Sequence, residues 1–231
     1  MEFAASVADR LEAVRARIRA AAERSGRRFT DVTLVAVSKN VPAEGIRAVA
    51  RLGVVDVGES RVQEALPKIE AVADPAIRWH LVGHLQRNKA RRAAELFTLI
   101  HSVDTEALAE ALAHGAETQG RVVSVLLQVN VAGEPGKHGC ATAEVIPMAR
   151  RMRRLAALRL EGLMTIAPLA DDPGDARPVF QQLRRLGEAL REEAPEARHL
   201  SMGMSDDFEV AIEEGATLIR VGRALFGDRP A

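Results

Sequence analysis

The sequence predicts an α/β protein folded as a single (β/α)8 TIM barrel with an extra N-terminal helix. Three observations lead there. Short apolar, β-branched runs recur at 32–37, 54–57, 79–82, 99–103, 122–129, 158–165, 199–202 and 218–221. Segments of helical period lie between them, near 43–52, 61–73, 87–97, 105–119, 142–156, 176–193 and 206–214. Strands that are apolar on both faces and alternate with helices are the signature of a parallel sheet, and eight such units in about 200 residues fit a barrel at its compact end. The third observation is at the ends of the chain. Only residues 223–231 follow the last run, too few for a full closing helix, whereas Phe3, Val7, Leu11, Val14 and Ile18 form an apolar stripe over 2–25. That N-terminal helix is expected to fill the gap in the outer ring. A doubly wound open sheet is the alternative topology.

No repeat, low-complexity tract or linker divides the chain, so residues 1–231 are expected to form one domain. The most loop-like stretches are 132–139 and 167–178, both rich in Gly, Pro and charge.

Composition excludes several classes. The 32 Lys+Arg balance 32 Asp+Glu, which leaves no electrostatic footprint for a row of phosphates, so nucleic acid is not the expected partner. Hydrophobic residues at 47% exclude a disordered chain. Residues 2–25 carry seven charged residues in Glu2–Arg19 and no apolar run fit for a signal sequence or membrane span. The single Cys, Cys140, cannot pair within the chain, and it and His138 look too isolated to ligate a metal, so a cytoplasmic protein without a metal centre is expected. With no large apolar patch evident, a monomer is expected. The cluster Arg150, Arg151, Arg153 and Arg154 reads as a solvated helix face.

In a barrel, chemistry belongs to the C-terminal strand ends. Those positions hold Ser38-Lys39, Gly58-Glu59-Ser60, Gly83-His84, Asp104, Asn130, Thr165, the run SMGMS at 201–205 and Gly222-Arg223. Two features stand out. Small residues after strands seven and eight let backbone N–H groups approach an anion, and Ser205 or Asp206 is placed to cap a helix starting near 206. Only four of the 32 basic residues are Lys, and one of these, Lys39, ends the run VTLVAVSK. Partial desolvation at a barrel mouth favours the neutral, nucleophilic amine. An amine beside a phosphate cradle suits an aldehyde bearing a phosphate, for which pyridoxal 5′-phosphate (PLP) is the leading candidate. His84 and Arg223 are further candidate anion contacts, while Lys137 sits in a Gly-flanked loop.

The motifs VAVSK at 35–39, GESRVQE at 58–64, WHLVGHLQRNK at 79–89, IHSVD at 100–104, GLMTI at 162–166, LSMGMSDDFEVAIEEGAT at 200–217 and RVGRALFG at 220–227 closely resemble the pyridoxal phosphate homeostasis protein family. The resemblance runs in order from about residue 30 to residue 227. It implies a barrel like the N-terminal domain of alanine racemase, with PLP bound as an imine of Lys39. By the same resemblance, Ser201 and the backbone at Gly222 and Arg223 would hold the phosphate, Arg220 would face the pyridine nitrogen, and His84 and Met204 would be pocket-wall residues. One departure concerns Ser60 and Arg61, where many relatives have GENYVQE. If that Asn contacts the cofactor, Ser60 must reach the same atom with a shorter side chain or through water.

An Arg beside the pyridine nitrogen disfavours protonation there and weakens the ring as an electron sink. The sequence also holds no Tyr, the residue that supplies the second base in racemases with this barrel. The resemblance therefore implies a non-enzyme that keeps PLP bound and passes it to PLP-requiring apo-enzymes, serving vitamin B6 and amino-acid homeostasis. The alternatives are a PLP-dependent amino-acid racemase or decarboxylase, and a phosphosugar aldolase or isomerase using Lys39 as imine former or Glu59 as base.

Overall fold

The structure, a computed structural model, describes residues 2–227, with side chains from Ser6 onward. Phe3, the first residue of the N-terminal stripe, lies outside the described side chains, and residues 228–231, the end of the expected single domain, lie outside the described residues. Eight strands, β1 (Thr33–Val37), β2 (Asp56–Glu59), β3 (Arg78–Leu81), β4 (Leu99–Val103), β5 (Val123–Gln128), β6 (Leu158–Met164), β7 (His199–Ser201) and β8 (Leu218–Val221), close into a barrel in chain order. Every pairing is parallel, and β1 meets β8 with Ala36 opposite Val221.

The outer ring comprises α1 (Glu2–Arg24), α2 (Ala43–Arg51), α3 (Val62–Val72), α4 (Ala90–Leu96), α5 (Glu106–Glu117), α6 (Val145–Met152), α7 (Arg177–Glu193), α8 (Phe208–Glu213) and the single turn α9 (Arg223–Phe226). As expected, α1 occupies the gap, packing on α2, α8 and α9. Its stripe Val7, Leu11, Val14 and Ile18 is buried. Arg17 and Arg24 on its polar face pair with Glu209 and Glu213 of α8 at 2.8 Å each.

Boundaries shift where strand ends are polar. β2 begins two residues later than its apolar run, because Val54 and Val55 lead into the strand while Asp56, Gly58 and Glu59 pair within it. The helix expected near 206 starts at Phe208, and neither Ser205 nor Asp206 caps it: Asp206 pairs with Arg223 and Ser205 Oγ accepts from Ala224 N–H at 3.3 Å.

Two apolar cores result. The larger lies between sheet and helices, and a small one inside the barrel holds Val35, Val82, Leu99, Leu126, Met164 and Leu218. The rest of the barrel interior is polar. Arg78 grips Asp56, whose Oδ1 lies 3.0 Å from His80 Nε2. His80 Nδ1 lies 2.9 Å from His101 Nε2, and His101 Nδ1 lies 2.8 Å from Ser201 Oγ. Arg220 closes the series, donating from Nη1 to Ser201 Oγ at 2.7 Å and from Nη2 to the Thr165 carbonyl at 2.9 Å.

Candidate functional site

Lys39 leaves β1 through a turn in which Val41 N–H donates to the Ser38 carbonyl at 2.9 Å and Asn40 adopts a left-handed φ of 59°. Asn tolerates that conformation better than most residues, and the turn directs Lys39 to the wall of a cavity of about 650 Å³. Ser60 and His84, from the ends of β2 and β3, line the same cavity, as do Arg61, Glu64 and Lys89. Its volume is that of a small-molecule site. Gly83 sets one wall: a Cβ there would lie 2.3 Å from the Ser60 carbonyl oxygen, so only glycine allows the two strand ends this close.

The floor beneath Lys39 is fixed by Glu59. Its Oε1 accepts from Ser38 Oγ at 2.5 Å and from Lys68 Nζ at 2.6 Å, and Lys68 also donates to the Ser38 carbonyl at 2.6 Å. A fully buried carboxylate held this way braces the strand end that carries Lys39; its engagement with Lys68 speaks against the Glu59-base reading.

The other sequence-predicted residues lie along β7 and β8. Ser201 is fully buried, its hydroxyl committed to His101 and Arg220 within the barrel. Arg220 is also buried; loss of hydration lowers its pKa to about 10, opposed by the Asp207 carboxylate, and leaves it a cation at neutral pH. Gly222 and Arg223 follow β8, the neighbour of β1, so they stand beside the strand end that carries Lys39. The Arg223 side chain is turned to Asp206, 2.5 Å away. Met204 lines a separate small pocket with Ala167, Pro168, Leu169 and Asp207. The structure thus brings Lys39, Ser60 and His84 into one cavity, Ser201 and Arg220 into one buried hydrogen-bonded pair, and Met204 into neither.

Sequence reasoning passed over two features. Lys89 joins Lys39 at the cavity, a role its place in a helical segment did not reveal. His138 is not isolated: its ring stacks on His84 with centroids 3.6 Å apart, because the segment after β5 folds back over the mouth.

A closed parallel barrel with an amine at the β1 end and a buried guanidinium in β8 defines a class. The family profile described as "Alanine racemase, N-terminal domain" matches residues 10–230. The pyridoxal phosphate homeostasis protein of Aquifex aeolicus is 44% identical over 96% of this chain and 97% of its own. PipY of Synechococcus elongatus, solved with PLP bound, is 41% identical with a TM-score of 0.83, over 96% of this chain and all of that one. Alanine racemase of Clostridium difficile shares the fold alone, with a TM-score of 0.76 at 14% identity, over 97% of this chain and 57% of the racemase chain. The chain belongs to the pyridoxal phosphate homeostasis protein family.

Proposed function

We propose that this protein binds PLP at the C-terminal mouth of its barrel, with Lys39 as the covalent anchor, and serves vitamin B6 and amino-acid homeostasis by holding and delivering the cofactor. The carrying observation is the placement of Lys39 on a cavity of about 650 Å³ beside the β8 end. The residues present fit the group: an aldehyde needs an amine, and Lys89 adds a second cation to the cavity wall, which suits an anionic cofactor whose phosphate is held by the backbone at the β8 end. When bound, PLP supplies a reactive aldehyde on a ring that can act as an electron sink.

The chain's own groups have separable tasks in this reading. Lys39 is the nucleophile, braced from below by Ser38, Glu59 and Lys68. Ser60 and His84 shape the cavity. Ser201 supports Arg220 from within the barrel; the phosphate contact implied for it by resemblance passes to the backbone at Gly222 and Arg223, since its hydroxyl is already engaged. Met204 flanks the mouth from the β7 side. Arg220 faces the ring nitrogen as a cation, which disfavours protonation there and fits a carrier without turnover of its own. The protein acts as a cytoplasmic monomer whose partners are PLP-requiring apo-enzymes.

The test compares wild type and Lys39→Ala incubated with PLP, by visible absorbance and by intact mass after borohydride reduction. The expected result is a visible band and a covalent mass gain in wild type, both lost in the variant. A wild type that neither absorbs nor gains mass overturns the reading. Exchange of amino-acid α-protons in D2O, followed by NMR, should stay at the level of a heat-inactivated control; sustained exchange that depends on Lys39 would restore the racemase reading.

A further inference from the structure

At the rim of the mouth, three consecutive strand ends bring together His84 after β3, Asp104 after β4 and His138 from the segment after β5. Each offers one ligand atom, and these atoms all lie within 4.8 Å of one another. His138 Nδ1 stands 3.7 Å from Asp104 Oδ2, and the two imidazoles stack with planes 10° apart.

Asp104 is the informative member. Its side chain is only 10% exposed, yet among the described residues its carboxylate accepts no hydrogen bond and meets only the imidazole of His138 in an ion-pair contact. A largely buried carboxylate with no protein donor, set beside two imidazoles, leaves its lone pairs free for a cation bound between them. We propose that His84, Asp104 and His138 form a binding site for a divalent transition-metal ion of the Zn2+, Ni2+ or Cu2+ class. The site shares His84 with the cavity assigned to PLP, and metal binding to protein without PLP tests it apart from that reading.

The donor set selects the ion. Two imidazole nitrogens and one carboxylate oxygen suit borderline-soft ions, whereas Mg2+ and Ca2+ favour oxygen-rich shells. Three protein ligands leave a further coordination position open. His138 does not hang from a free loop. Asn130 and Glu134 bond reciprocally across its base, Cys140 N–H donates to the Gln128 carbonyl, and Gln128 Nε2 donates to the carbonyl of His138 itself at 3.2 Å. Neighbouring Lys137 is paired with Glu134, 3.6 Å away. Bonds of about 2.1 Å would place ligand atoms roughly 3–3.5 Å apart, so coordination requires the stacked rings to turn about their side-chain torsions. Both histidines are exposed enough to do so.

The test is calorimetric titration of Zn2+ into untagged, full-length, chelator-stripped protein, with Co2+ absorption as a second readout of imidazole coordination. Wild type should bind about one equivalent, and Mg2+ in excess should not compete. His138→Ala and Asp104→Asn should each weaken binding by about tenfold or more, while His114→Ala, on the exposed face of α5, should leave it unchanged. Circular dichroism establishes that the variants are folded. Absence of Zn2+ binding in wild type, equal binding in wild type and either site variant, or equal loss in His114→Ala overturns the proposal.

Discussion

Arg220 has two acceptors and no exposed surface to retreat to. Replacing it with Met would strand the Thr165 carbonyl and remove one partner of Ser201. Hydrogen bonds from a charged donor are worth about 1.5–3 kcal/mol each, so losing the two from Arg220 in Arg220→Met should lower unfolding free energy by roughly 3–6 kcal/mol, read from the urea midpoint. His101 carries a pH signature. Burial first, then the charges of His80 and Arg220, hold its pKa well below the ordinary 6.5. The unfolded chain therefore takes up a proton near pH 6.5 that the folded chain refuses. Stability should fall as pH drops below about 6.5, by up to about 1.4 kcal/mol per pH unit for this group. His199, shifted the same way mainly by burial, adds to the slope. Urea midpoints at pH 7 and pH 5 should diverge less in His101→Gln than in wild type; equal divergence would remove His101 as the cause.

At the scale of the element, β6 depends on Gly162. Its φ is 152°, and a Cβ there would sit 1.9 Å from the His199 carbonyl oxygen of β7. The irregular β5–β6 register adjoins this residue. Gly162→Ala must push β6 and β7 apart and should cost about 3 kcal/mol or more, visible as a lowered Tm. The elements also show what a sequence can and cannot convey. All eight strands were legible because outward-facing positions such as Val57, Leu81, Ile100 and Ile219 pack under helices and leave apolar runs. Lys39 was legible because it ends such a run. The pairing of His84 with His138 was not, since it depends on how the β5–α6 segment folds back through Asn130, Gln128 and Glu134. The interior series from Asp56 to Arg220 was hidden for a related reason: each member is a single polar residue on a different strand, and only closure of the barrel turns them towards one another.

For the whole molecule, α1 serves as a ring helix supplied from the opposite end of the chain. Leu11 is 1% exposed within it, and Leu11→Ala should cost about 2–5 kcal/mol. Ile18 lies two turns further along α1, far enough that its truncation should add to that of Leu11. If α1 were a peripheral appendage, both substitutions would leave the global urea midpoint unchanged. Closure through α1 joins α2 to α8 and α9, so the first and last β/α units should unfold together in a single transition.

The series through the barrel has a direction. With both imidazoles neutral, one tautomer order satisfies every link: His80 donates to Asp56, His101 donates to His80, and the Ser201 hydroxyl donates to His101 while receiving from Arg220. No link can reverse alone. A proton added at the His80 end would turn each donor into an acceptor in sequence, until the Ser201 hydrogen had to seek a new acceptor beside Arg220. The barrel interior therefore carries orientation from one end to the other without any backbone movement, and the ¹⁵N chemical shifts of the His80 and His101 rings would report from within the barrel on what Arg220 meets at its mouth.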